Sequence, residues 1–309
     1  MKSENFTFKD KGEVEIYVNK WCPDENVKIN GVVQIAHGMA ETSDRYARFA
    51  EKLTQNGYVV YANDHRGHGK TAKDLDKVGI LADSDGFKWV VDDMEQLFRT
   101  IKKENPNIPV FLFGHSMGSF LTQRAIMVFG NDLKGTILSG SNGKQGLMLD
   151  IGLMVAKKEV KKNGRNKKSE KLDGMSFGKY NDAFKPNRTK FDWLSRDNAE
   201  VDKYIDDPFC GDVFTAGFFY DFLTGLKSIE NKDNLKNVPK DLPIYIFSGE
   251  KDPVGGSGKG VIKLYNTYKS LEIKDVTYKL YKDGRHEMLN EINREEVFND
   301  IIEWLNNHI

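Results

Sequence analysis

Six short apolar runs recur along the chain, each ending at a glycine or a polar turn: Gly31 to Ala36, Tyr58 to Ala62, Val110 to Phe113, Gly135 to Ser139, Pro243 to Ser248 and Val276 to Tyr281. Runs of this length, apolar at nearly every position, suit strands buried on both faces. Between them the apolar spacing changes to that of helices. Tyr46, Phe49, Ala50 and Leu53 mark a helix within 43–55, and Val90, Val91, Met94, Leu97, Phe98 and Ile101 mark another over 87–103. Further helices are expected over 120–129, 261–271 and 295–307, the last burying Val297, Phe298, Ile301, Ile302 and Leu305. Ahead of all of these, Phe6 to Phe8 and Val14 to Val18 alternate with period two around a turn at Asp10 to Gly12, which predicts an antiparallel hairpin. Strands alternating with helices at such intervals predict right-handed crossovers and a mostly parallel central sheet flanked by helices. Catalytic groups on such a sheet belong at the carboxyl ends of its strands.

The rhythm breaks after Gly140 and resumes only at Pro243. We therefore expect a core built from 1–140 and 227–309, with 141–226 inserted as a mainly helical cap. The insertion is rich in aromatics, among them Phe177, Tyr180, Phe184, Phe191, Trp193, Phe214, Phe218 and Phe222. Some are expected to line an apolar substrate tunnel and most to pack within the cap. Its apolar stretch Leu147 to Val155 leads into a lysine-rich stretch ending at Lys168. The plain expectation is a cap helix ending in solvated lysines, with weak docking on an anionic membrane surface as the alternative.

The candidate chemistry sits at strand ends. Gly114, Ser116 and Gly118 form a G-x-S-x-G pattern between an apolar run and an amphipathic segment, the context of a nucleophile elbow. Such a turn puts the serine under backbone strain and leaves room only for small neighbours. The amide of Met117 then opens a helix, where partial positive charge favours an oxyanion. After the first apolar run, His37 and Gly38 lead into Met39, whose amide is expected to be the second oxyanion donor. Asp252 follows the fifth run and His286 the last. A serine hydroxyl needs a base to accept its proton, and a histidine base needs a carboxylate to fix its tautomer. The order Ser116, Asp252, His286 is that of the α/β-hydrolase arrangement. His65 and His68 lack a third ligand and are expected in a structural turn. The glycines from Gly255 to Gly260 miss phosphate-loop spacing and fit a flexible turn.

Composition narrows the partners. Basic and acidic residues balance at 46 each, which argues against nucleic acid. Two distant cysteines, Cys22 and Cys210, give neither a disulfide framework nor a metal pattern. The polar N-terminus and the lack of a membrane-length apolar run fit a cytoplasmic protein.

The segments His37 to Tyr46, Asn63 to Gly69, Gly114 to Gly118, Ser248 to Val254 and Gly284 to Glu287 resemble those of an α/β-hydrolase group that includes monoacylglycerol lipases, lysophospholipases and serine aminopeptidase-like (S33-type) hydrolases. The resemblance implies an α/β-hydrolase fold with a cap forming an acyl pocket. It implies Ser116 as nucleophile, His286 as base, Asp252 as orienting acid and the Met39 and Met117 amides as oxyanion hole, with no cofactor or metal. The expected substrate is a small lipid-derived ester. One rival is an aminopeptidase that holds a substrate ammonium with cap carboxylates: Glu200, Asp202, Asp206, Asp207, Asp212 or Asp221. Another is a non-catalytic ligand-binding protein on the same fold.

Overall fold

A computed structural model describes the chain throughout, residues 1–309. Its eight strands are β1 (Lys2–Lys9), β2 (Glu15–Cys22), β3 (Gly31–Ala36), β4 (Tyr58–Asn63), β5 (Val110–His115), β6 (Gly135–Ser139), β7 (Ile244–Gly249) and β8 (Val276–Tyr281). They form one sheet in the order β1-β2-β4-β3-β5-β6-β7-β8. The hairpin β1–β2 joins antiparallel at one edge, and β3 to β8 are parallel. The helices are α1 (Ala47–Gln55), α2 (Gly69–Ala72), α3 (Gly86–Glu104), α4 (Met117–Phe129), α5 (Leu147–Asn163), α6 (Glu170–Phe177), α7 (Asn198–Asp206), α8 (Ala216–Ile229), α9 (Lys232–Leu235), α10 (Lys259–Ser270) and α11 (Arg294–Asn306). The helix expected over 43–55 begins as a tight turn at Ser43–Tyr46 before α1 takes over.

Strand alternation divides the core between the two sheet faces. Val32, Val59, Val110, Leu112, Leu138 and Ile246 point to the face covered by α3, α4, α8 and α10. Val33, Val60, Phe111, Phe113, Ile137 and Phe247 point to the face covered by α1 and α11. Each fully buried side chain of this kind contributes roughly 1.5–3 kcal/mol. That double burial is why the parallel strands read as unbroken apolar runs.

From Ser141 onward the chain builds α5 to α8, and the expected division at 226/227 falls inside α8. Phe218, Phe219 and Leu226 of that helix share a core cluster with Phe87, Val91 and Met94 of α3. Much of the aromatic content of the insertion is therefore packing, as Phe214, Phe218 and Phe222 illustrate with their mutual ring contacts.

Two glycines set the position of α4. A Cβ on Gly118 would lie 2.0 Å from the Ala36 carbonyl oxygen, and one on Gly114 would lie 2.4 Å from the Gly118 oxygen. We expect Gly118→Ala to destabilise the chain by about 3 kcal/mol, since the obstruction is backbone and cannot rotate away. Urea unfolding monitored by circular dichroism measures this, and a loss under about 0.5 kcal/mol contradicts the close packing.

Candidate active site

Ser116 occupies the sharp turn between β5 and α4 with φ 51° and ψ −119°, a conformation that costs a non-glycine residue strain. The turn is held from both sides. The Ser116 amide donates to Ser139 O at 2.9 Å, and the Ser119 hydroxyl donates to Ser116 O at 2.6 Å. Met117 is the first residue of α4, so its amide has no acceptor within the helix.

The loop after β3 is aligned by a histidine. The His65 amide donates to His37 Nε2 at 2.9 Å, so His37 carries its proton on Nδ1, which lies 2.7 Å from Gly38 O and donates to it. Because the peptide unit is planar and trans, the Met39 N–H points away from that bond. Neither the Met39 nor the Met117 amide donates a hydrogen bond within the chain. His65 and His68 pack against His37 with ring centroids 4.2 and 5.1 Å away, and burial pushes both below the usual histidine range.

Asp252, after β7, and His286, after β8, are both fully buried, and His286 Nδ1 lies 3.0 Å from Asp252 Oδ1. Asp252 also accepts from the Ser248 hydroxyl at 2.5 Å and the Val254 amide at 2.9 Å. Burial works against its charge, but His286 and these donors hold its carboxyl below the usual range. Burial lowers His286, yet Asp252, with help from Glu287 and Glu41, outweighs it, and the imidazole ends above its ordinary value. His115 stacks 4.8 Å from the His286 ring, and burial with that neighbour pushes it down to about 4. Trp193 covers another side of His286 at 5.0 Å.

Ser116 and His286 share the wall of one cavity of about 370 Å³, without a hydrogen bond joining them. Met39 lines it too, with Phe177, Phe191 and Trp193 from the insertion. The expected apolar tunnel is only partly apolar: Asp173, Asn181 and Lys190 also face it. Of the six carboxylates named for an ammonium site, only Asp212 reaches the cavity, and Lys168 already binds it. Glu200, Asp202 and Asp221 are engaged by Arg48, Arg188 and Arg165. Sequence reasoning named Trp193 only among the insertion's aromatics and missed Ser248 and Asp173, and also Glu41, Arg45 and Glu287. The last three stand in quoted motifs, and charges so close to buried strand ends were the available signal.

This parallel sheet with its strand–turn–helix serine defines an α/β hydrolase. Within that class the chain belongs to the family described as serine aminopeptidase, S33, which residues 27–293 match. It is 28% identical over 308 residues to a monoacylglycerol lipase of Mycolicibacterium smegmatis, spanning 98% of this chain and 97% of that one. It is 27% identical to human (Homo sapiens) monoglyceride lipase, over 94% of this chain and 86% of that one. Among solved structures it superposes on a thermostable carboxyl esterase from Bacillus coagulans, determined in complex with glycerol. The TM-score is 0.91 at 29% identity, covering 100% of this chain and 99% of that one.

Replacing Asp252 with Asn removes the charge that raises His286. We expect a histidine NMR titration to find the His286 pKa above about 6.5 in the wild type and below it in Asp252→Asn. An unshifted resonance contradicts the pairing.

Proposed function

We propose that this chain is a serine hydrolase that cleaves carboxylic esters of apolar acyl groups, in the manner of a monoacylglycerol lipase or lysophospholipase, through an acyl-enzyme on Ser116. The observation that carries the proposal is His286, paired with the buried Asp252 and sharing one cavity wall with a serine on a strained strand–helix turn. Its lipase and esterase relatives support the choice of esters.

In the proposed reaction Ser116 Oγ attacks the ester carbonyl carbon while His286 Nε2, the nitrogen not facing Asp252, takes the hydroxyl proton. The negative charge on the former carbonyl oxygen is received by the Met39 and Met117 amides. Collapse breaks the bond to the alcohol, which leaves with the proton held on His286. Water then attacks the acyl carbon, giving its proton to His286; collapse breaks the acyl–Oγ bond, His286 returns that proton to Ser116 Oγ, and the acid departs. Residues 141–226 act as the cap over this site, contributing Asp173, Phe177, Phe191, Trp193 and Tyr204 to its wall.

A second reading, cleavage of aminoacyl amides, is favoured by one specific feature. Asp173 lines the cavity without an ion-pair partner; burial raises its carboxyl, opposed by nearby Lys190. A carboxylate so placed would hold a substrate ammonium.

No helix is long and apolar enough to cross a membrane. For α5 we propose surface docking on an anionic bilayer. Leu147 and Met148 are 73% and 72% exposed, Met154 is 59% exposed, and Ile151 joins them on that face. Lys158, Lys161 and Lys162 continue the face without acidic partners, so it offers apolar insertion followed by positive charge.

We expect Ser116→Ala to lower turnover of p-nitrophenyl esters and monoacylglycerol by about 10⁴-fold or more while leaving the melting temperature near wild type. Undiminished ester turnover in the folded variant refutes the assignment. Turnover of aminoacyl-naphthylamides without esters, lost in Asp173→Asn, selects the second reading. In vesicle sedimentation we expect binding to anionic and not to neutral liposomes, weakened by Met148→Glu. Equal partition to both vesicle types, or self-association through this face, ends the docking proposal.

A further inference from the structure

Beside the serine, and outside the roles assigned so far, lies a buried three-residue ion cluster. Glu41 follows β3 by five residues; Arg45 sits one turn later, and Glu287 is the neighbour of His286. Arg45 makes a two-pronged contact with Glu287, with both nitrogen–oxygen distances 2.7 Å, and reaches Glu41 Oε2 at 2.7 Å. The other oxygen of Glu41 accepts from the Gly38 amide at 2.5 Å and from the Tyr46 hydroxyl at 2.9 Å. Glu287 also accepts from Asn290 Nδ2 at 3.0 Å, and its own amide donates to Leu194 O at 2.7 Å. The Tyr204 ring covers the guanidinium at 4.9 Å.

Two features separate this cluster from an ordinary surface ion pair. It is nearly dry: the side chains of Glu41 and Glu287 are only 4% and 6% exposed. It also joins two loops far apart in the chain, each leading to one part of the proposed chemistry. Through Glu41 it grips the Gly38 amide, next to the peptide unit that His37 orients and whose N–H belongs to Met39. Through Glu287 it grips the residue that follows His286.

We propose that Arg45 is a positioning residue, which with Glu41 and Glu287 ties the oxyanion loop to the loop bearing the base and fixes their separation. This rests on the reading of Ser116 and His286 given above. A lysine in its place keeps the charge but cannot make the two-pronged contact while also reaching Glu41.

The cluster carries two negative charges against one positive, so it also acts on His286 through space. The charged and titratable groups facing His286 are Asp252 from the loop after β7, Glu41 from the loop after β3, His115 at the end of β5 and its neighbour Glu287. Burial lowers His286; Asp252 raises it most, and Glu287 and Glu41 raise it further. Burial raises Glu287, but Arg45, with His115 and Asn290, outweighs it and brings the carboxyl down to about 2, so Glu287 is ionised wherever His286 titrates. His115, near 4, is neutral there. Removing the Glu287 charge therefore lowers the His286 pKa. The acid side of the activity profile, where His286 must lose its proton to act, then moves to lower pH.

The test compares wild type, Arg45→Lys, Glu287→Gln and Glu41→Gln in three measurements: melting temperature, steady-state ester hydrolysis per titrated active site, and the pH dependence of Ser116 labelling by a fluorophosphonate. For Arg45→Lys we expect kcat to fall by about 10- to 100-fold with KM within about twofold, since misplacement of about 1 Å acts on the reaction more than on binding. For Glu287→Gln and Glu41→Gln we expect the acid limb of labelling to move to lower pH. A merely structural role lowers the melting temperature and the titrated fraction but leaves kcat per site and the acid limb in place; that result overturns the proposal. If Arg45→Lys does not fold, the two glutamine variants decide through the limb alone. A wild-type chain that does not label at Ser116 refutes the underlying site, whereas normal labelling with unchanged variants refutes only the bridge.

Discussion

The site depends on backbone meeting backbone where no side chain fits. Gly118 lets the first turn of α4 rest on the carbonyls of Ala36 and His37, which puts Ser116 beside the loop that carries Gly38 and Met39. A matching contact joins the other half. A Cβ on Gly249, at the end of β7, would lie 2.1 Å from the Gly284 carbonyl carbon, so the loops bearing Asp252 and His286 touch main chain to main chain. Each contact brings together residues that sequence keeps apart, and both pin the segments that carry Ser116, Asp252 and His286 to a neighbouring main chain, so that these side chains do not project from free loops.

Local order in the sequence carried the sheet and the serine turn. An apolar run buried on both faces is visible as such, and glycines two positions either side of a serine, between strand and helix, announce a tight turn. Asp252 and His286 were legible for a related reason, since each directly follows a predicted strand. The bridge was not. Arg45 meets Glu287 across 242 positions, and nothing in the neighbourhood of either residue states that pairing. Asp173 was missed for a different cause. Helix α6 has little amphipathic contrast, so the face it turns to the cavity is set by how the insertion folds back, not by its own pattern.

Electrostatically the centre is a set of buried charges, each held by named partners. An isolated carboxylate at the depth of Asp252 or Glu287 would take up a proton rather than remain charged. Asp252 avoids this through His286, Ser248 and the Val254 amide; Glu287 does so through Arg45 and Asn290. Buried ion pairs contribute little net stability but are costly to break on one side only. Such groups therefore narrow the set of arrangements the loops can adopt, more than they add to the folding free energy.

The hydrogen bonds between the insertion and the loop after β8 have a mechanical consequence. His286 and Glu287 donate their amides to Trp193 O and Leu194 O, the Ser195 hydroxyl donates to Asn290 O, and Arg196 binds Glu291. The stretch from Trp193 to Arg196 is thus fastened to the same loop that presents the imidazole. Lifting all of 141–226 as a rigid flap would tear these bonds and drag His286 off Asp252. Any movement of the insertion that keeps the Asp252–His286 pair intact is therefore confined to its outer part, such as α6, with this inner stretch left as a fixed floor.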